Sequence, residues 1–472
     1  MSECIRRKAG CLFGWVAVLL LMAATGGLAQ ADDRYEVELL KASSGFDGTM
    51  CWVHARAGVI PGGDRLAVMT SQKLLLTGSD VFYALHQFDS ADGGRTWSEP
   101  RQIESFERQT FLGPDRPLPT GADIAPELLQ AGDETTVCDF VPQWHQKAQK
   151  LLGIGHTVWY RDNRVMSVRP RGTAYAVYDH AAAAWSPWKC LKLPAERKFV
   201  CAGSGSQQRV DLPNGDVLLP IYFKEPEARQ YSSTVVRCRF DGETLTYLEH
   251  GSEHTLPVQR GLYEPSVTEF GGRWYLTLRN DDHGYVCSSD DGLRYSEPIR
   301  WTFDDGEELG NYNTQQHWVH GRNALYLVYT RRAANYRNAP ANVIGTTDPS
   351  LLQPDVRNNN DHVFRHRAPL FMAEVNPQTL QIIRATEQVL VPERGARLGN
   401  FGVTQVSPDE AWVTVTEWMQ PEGVEQYGSD NTIWVAKIRW KPDPTPNSLP
   451  RAVPEDVGMD SGRLNVIDDI VL

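Results

Sequence analysis

The chain has 472 residues and a formal net charge of −12, a balance that argues against nucleic acid as a partner. Aromatic residues make up 10% of it, including 14 Trp, which suits interfaces between packed sheets and stacking on sugar rings. Beyond the N-terminus no apolar stretch is long enough to cross a membrane.

Residues 1–31 read as a secretory signal: Arg6, Arg7 and Lys8 make a basic start, residues 11–24 an apolar core, and Ala29-Gln30-Ala31 a small-residue cleavage site. The mature chain is expected to begin near Asp32, to be periplasmic or secreted, to keep no membrane span and to be a monomer. An exported chain permits disulfides. The remaining Cys51, Cys138, Cys190, Cys201, Cys238 and Cys287 show no CxxC or zinc pattern, and only Cys190 and Cys201 are close in sequence. Free, buried thiols are the expectation, and neither a metal nor a cofactor is called for.

Apolar runs at 81–88, 173–178, 217–223, 274–278, 325–329 and 412–416 are short, β-branched or aromatic, and bounded by Gly, Asp, Asn or Pro, as strands are. The first of these and the fourth are each followed by a copy of one turn pattern. Ser90-Ala91-Asp92-Gly93-Gly94-Arg95-Thr96-Trp97 is matched by Ser288-Ser289-Asp290-Asp291-Gly292-Leu293-Arg294-Tyr295, and each continues Ser-Glu-Pro. Short Ser and Asp side chains satisfy the backbone N–H groups of a tight hairpin, glycine permits positive φ, and the aromatic packs between sheets. Looser hairpins follow Tyr178-Asp179-His180, Phe240-Asp241-Gly242 and Asn376-Pro377-Gln378. Residues 336–360, rich in Asn and Pro, read as a long inserted loop. The acidic run Asp304-Asp305-Gly306-Glu307-Glu308 lacks calcium-loop spacing and reads as a solvated turn. Residues 434–440 are expected to close a ring against the N-terminal strand. Residues 441–453 form a Pro-rich linker. The tail, 454–472, resembles the opening of a class C β-lactamase-like domain, without that family's S-x-x-K motif.

The repeated turn, S-x-D-x-G-x-x-aromatic, is that of the Asp box of the sialidase (neuraminidase) superfamily, and the chain resembles that family over roughly residues 45–440. The resemblance implies an all-β, six-bladed β-propeller over residues 32–440. The spacing agrees: Ser90 and Ser288 lie about 200 residues apart, room for three blades of about 66 residues, and six fill the span. It also implies an exo-glycosidase that hydrolyses a terminal, acidic sugar from a glycan.

Family roles carry over position by position. In Tyr263-Glu264-Pro265-Ser266, followed by Leu278-Arg279-Asn280, a Glu begins one inner strand and an Arg ends the next. Glu264 inherits the role of second carboxylate and Arg279 that of a clamp arginine. Arg56, in Ala55-Arg56-Ala57-Gly58-Val59-Ile60-Pro61, is a loose version of the family's Arg-Ile-Pro, and Arg367 resembles the third clamp arginine, with Arg365 its rival. Asp80, in Gly78-Ser79-Asp80-Val81, stands where the family keeps its acid/base. Guanidinium groups remain charged and fork onto a planar carboxylate, so three of them would select an acidic sugar.

One position departs from the family. In Arg397-Leu398-Gly399-Asn400-Phe401 the expected Tyr nucleophile is Phe401, which has no oxygen to attack with. Three readings stay open: the local register shifts the position, Tyr263, Tyr312 or Tyr427 replaces it, or Asp80 and Glu264 flank a water in an inverting hydrolase. Two other functions stay open: a uronate-directed polysaccharide lyase using His156 or His317, and a carbohydrate-binding propeller without catalysis.

Overall fold

Strand boundaries follow the sequence pattern closely: the runs named above lie within Phe82–Ser90, Thr173–Asp179, Asp216–Lys224, Arg273–Arg279, Leu325–Tyr329 and Glu410–Thr416, apart from Val81. The computed structural model describes residues 34–62, 66–78, 80–311, 313–331, 367–420 and 422–442. The signal, the inserted loop, the C-terminal tail and most of the linker lie outside the described residues, as do Tyr312 and Arg365.

The chain is an all-β propeller whose described strands make six sheets, with antiparallel pairing between all named strands. The first sheet runs Met50–Val59, Ala67–Leu75, Phe82–Ser90 and Arg101–Gln102. The second is built on Glu134–His145, Lys150–Arg161 and Thr173–Asp179, and the third on Cys201–Gly203, Asp216–Lys224, Ser232–Phe240 and Leu245–His250. Tyr263–Phe270, Arg273–Arg279, Tyr285–Ser289 and Ile299–Arg300 form the fourth, and His317–His320, Leu325–Tyr329 and Leu370–Asn376 the body of the fifth. In the sixth, Gly402–Ser407, Glu410–Thr416 and Ile433–Trp440 are completed by the N-terminal Tyr35–Ser43, which pairs Tyr35 with Trp440 and Val37 with Ile438. The ring is thus latched by strands from opposite ends of the chain.

Apolar side chains fill the junctions between neighbouring sheets. Phe140 and Trp159 meet Val68 and Leu85, Ile154 meets Ile221, Leu218 meets Leu276, Trp318 meets Trp301, Val413 meets Leu370, and Trp412 meets Phe88. The repeated turns do the local work foreseen for them. Asp92 accepts the N–H groups of Arg95 and Thr96 at 3.0 Å, and Ser90 Oγ accepts that of Gly94 at 2.9 Å. A Cβ at Gly94, where φ is +76°, would stand 2.6 Å from the Trp412 ring of the sixth sheet. The second turn is one residue tighter than its alignment suggests. Ser289 and Asp291, rather than Ser288 and Asp290, hold the backbone, through Gly292, Leu293 and Arg294. Asp179, Asp241 and Asn376 cap the looser hairpins in the same manner. In the acidic turn, Asp305 and Glu307 pair with Arg384, an ionic latch to the fifth sheet.

A repeated backbone irregularity positions the site. The ladders slip between Val53 and Arg56, between Cys138 and Val141, and between Tyr263 and Ser266. The residues inside these bulges, His54, Asp139 and Glu264, have left-handed φ of 59°, 54° and 45°. Ser206, Asn313 and Asn400 take the same conformation (53°, 52° and 59°) near the first strands of the other three sheets. A bulge re-aims a side chain against the strand's alternation. Bulges re-aim His54, Asp139 and Glu264 in this way, and Ser206, Asn313 and Asn400 share their backbone conformation.

Candidate functional site

His54, Asp139, Glu264, Asn313 and Asn400 all face one cavity of about 800 Å³. Its lining carries eight Lys or Arg side chains against five carboxylates, so the cavity is cationic in a chain whose net charge is −12.

Four of the five residues singled out in the sequence line this cavity: Asp80, Glu264, Arg279 and Arg367. Antiparallel pairing sets Tyr263 opposite Arg279, which brings Glu264 and Arg279 into a buried ion pair. Arg279 also donates to Asn313 Oδ1 at 2.9 Å and lies 4.8 Å from the centre of the Tyr263 ring. Arg367 is buried beside Asn400, and burial together with the charges of Arg279 and Arg397 pushes its guanidinium down to about 9. Asp80 is exposed, with φ 53°, and its backbone carbonyl accepts a hydrogen bond from Tyr160 Oη at 3.0 Å.

Arg56 is elsewhere. It is 1% exposed and absent from the cavity wall, donating to Asp139 Oδ1 at 2.8 Å and to Ser206 Oγ at 2.7 Å. The bulge between Val53 and Arg56 explains this, because it is His54 that the irregular backbone presents to the cavity. His54 Nε2 lies 2.8 Å from Asn400 Nδ2 and 3.5 Å from Asp139 Oδ1. Burial opposes the Asp139 charge, but His54, Arg56 and His156 outweigh it and hold the carboxyl well below the usual range.

Phe401 is fully buried against His317, with ring centres 4.9 Å apart, while its neighbour Asn400 reaches the cavity. Tyr263 does line the wall, with its hydroxyl already engaged: Arg260 donates to it at 2.6 Å and it donates to Asp281 at 2.7 Å. Tyr427 is not among the lining residues.

Of the two histidines considered for proton abstraction, His156 faces the cavity and His317 lies behind it. His156 Nε2 is 3.2 Å from Cys138 Sγ; burial, then Arg171, lowers the imidazole's pKa, and burial raises that of the thiol. With Asp139 they place donor atoms within 4.8 Å of one another, but a cation there would meet the charges of Arg56 and Arg171. All six described cysteines are free.

His317 makes acid stability testable. Burial, then the Arg56 charge, pushes it down to about 3, and Ser266 Oγ lies 2.7 Å from its Nδ1. Because the folded pKa lies below the unfolded value near 6.5, the unfolded chain takes up a proton that the folded chain refuses. Stability therefore falls as pH drops from about 6.5 towards 3. In urea titrations across that window, His317→Gln is expected to flatten the slope by up to one proton; an unchanged slope refutes the assignment.

Sequence reasoning passed over Asp139, His54, Arg169, Arg171 and the tyrosines Tyr222 and Tyr231, all of them in the wall. Asp139 carried a signal, being a lone carboxylate within the apolar run Val137-Cys138-Asp139-Phe140-Val141.

No protein-family model and no curated protein matches the chain. Among solved structures it is similar to a Dyadobacter fermentans protein of unknown function, with 13% identity and a TM-score of 0.52 over 86% of this chain and 99% of that one. It is also similar to the NanB sialidase of Streptococcus pneumoniae, with 11% identity and a TM-score of 0.51 over 84% of this chain and 70% of that one. For the Trypanosoma rangeli sialidase bound to sialic acid the identity is 12% and the TM-score 0.50, over 85% of this chain; the match spans only 58% of that enzyme. At these identities the likeness establishes the fold alone: a sialidase-like β-propeller.

Proposed function

We propose that this chain is an exported, monomeric, six-bladed sialidase-like propeller that removes a terminal acidic sugar from glycans. The blade count reads each of the six sheets as one blade, and export reads residues 1–31 as the signal. One observation carries the functional reading: Asp80, Glu264, Arg279 and Arg367, far apart in sequence, line one cationic axial cavity. In this reading Arg279 and Arg367 clamp the sugar carboxylate, and Asp80, the exposed carboxylate, protonates the leaving glycosidic oxygen. Glu264 serves as the second carboxylate. Asn400 occupies the register expected of the nucleophile and the Tyr263 hydroxyl is tied to Asp281, so Glu264 activates a water and the anomeric centre inverts. Arg56 acts from behind, holding Asp139 in place.

The test is digestion of sialyl and uronyl oligosaccharides, followed by reducing-sugar release, ultraviolet absorbance and NMR of the first-formed anomer. Release of an inverted sugar without new absorbance is expected. An unsaturated, absorbing product would instead indicate a lyase working through His156. Binding without turnover, undiminished in Glu264→Gln, would leave a carbohydrate-binding propeller.

A further inference from the structure

The cavity has a second cationic wall that the clamp does not use. Arg171 is 9% exposed, and among the described residues neither a carboxylate nor a hydrogen-bond acceptor meets its side chain; its Nε is buried without a partner among them. Its company is aromatic: its guanidinium carbon lies 5.0 Å from the Tyr222 ring centre and 5.6 Å from that of Tyr231. Arg169, two residues earlier, donates among the described residues only to the Met166 carbonyl, and its Nε is likewise buried without a partner among them. Both face the cavity, with Lys224 and Arg229 beside them. Three other deeply buried arginines are neutralised: Arg56 by Asp139, Arg209 by Asp211 and Arg279 by Glu264. Burying a charge is costly when no counter-charge is supplied. Ring faces offset part of that for Arg171.

The position is built rather than incidental. Backbone bonds from Arg171 to Val200 (3.0 Å) and from Ala202 to Arg171 (3.0 Å) pin this segment to the third sheet. The side chain crosses Gly203, where a Cβ would stand 2.5 Å from Arg171 Cδ. Tyr222 and Tyr263, with ring centres 6.4 Å apart, separate the Arg171 wall from Arg279. The two guanidinium groups therefore lie no farther apart than about three sugar units extend.

We infer that the Arg169–Arg171 wall is a second oxyanion subsite, which receives a sulfate ester or a carboxylate on a sugar one or two units along from the one held at Arg279. The glycan it selects carries a second acidic group within that distance of the first. This deepens the acidic-glycan reading and rests on it for the placing of the first sugar.

Calorimetric titration of the full chain tests it with a hyaluronan disaccharide (one carboxylate), a hyaluronan tetrasaccharide (two carboxylates) and a chondroitin 6-sulfate disaccharide (one carboxylate, one sulfate). At least one doubly charged probe is expected to bind about ten-fold or more tightly than the singly charged one, and which one gains tells carboxylate from sulfate. Arg171→Gln is expected to abolish that preference while leaving the singly charged probe within about two-fold, and Arg169→Gln to reduce it. Equal binding of all probes, no saturable binding by any, or a preference that survives in both variants overturns the subsite. Failure of the clamp shows differently, as an Arg279→Gln variant that holds the singly charged probe as well as the parent does.

Discussion

Replacing Glu264 by Gln is expected to lower kcat/KM for an acidic glycoside by about 10²–10⁴-fold, the range for loss of a positioned general base. Glutamine keeps the shape and an oxygen that accepts from Arg279, so the fold is expected to survive. Alanine removes that oxygen too. It leaves Arg279, 5% exposed, with Asn313 Oδ1 as its remaining hydrogen-bond partner named in the wall. Leaving a buried charge unpaired costs about 3–5 kcal/mol. Glu264→Ala is therefore expected to be inactive and markedly less stable, and Glu264→Ala combined with Arg279→Met to regain much of the stability without activity. Initial rates and urea midpoints on the four proteins separate chemistry from folding. A Glu264→Gln enzyme that retains rates near the parent's sinks the assignment of Glu264 as base.

The second large effect lies one layer deeper. Asp139 accepts from Arg56 and from Ser206 Oγ (2.5 Å), with His54 Nε2 3.5 Å away, and so joins the first three sheets at the axis. Asp139→Asn is expected to lose about 3–5 kcal/mol of stability, because Arg56 keeps its charge in a site that is 1% exposed. Arg56→Met in the same chain is expected to return part of it. The pH dependence has a defined sign. With its folded pKa held low, Asp139 contributes its full stabilisation above the unfolded value near 4 and loses it as pH falls towards the folded value. The gap between parent and Asp139→Asn is thus expected to be widest near neutrality and to narrow below about pH 4. A urea midpoint that barely moves on Asp139→Asn would mean that the axial cluster does not hold the sheets together.

Comparing sequence and structure shows which physics is local. Turn chemistry reads directly, since Asp92 and Ser90 act on N–H groups within a few residues. Even so, the second turn slipped by one position: two serines and two aspartates stand side by side at 288–291, and although Ser288 and Asp290 alone fit the written pattern, the turn closes one residue shorter from Ser289 and Asp291. Strand positions read as well, through apolar content bounded by turn residues. The Glu264–Arg279 pair was legible because a short hairpin forces its two strands into antiparallel register.

Arg56 marks where that reading stops. Period-two alternation carries no mark of a bulge, and one inserted residue exchanged His54 for Arg56 at the cavity wall. Asn400, with a left-handed φ of 59°, reaches the wall while Phe401 is buried behind it. The sequence alone therefore determined what depends on neighbours in the chain: strands, capped hairpins, the sialidase-like resemblance and one of the residue pairs at the site. Only the tertiary structure decided which side chains share the axial cavity and which arginines lack a counter-charge. Those properties arise when ring closure and local bulges bring six sheets to one axis, and pairing of charges across that axis has no signature in any single segment.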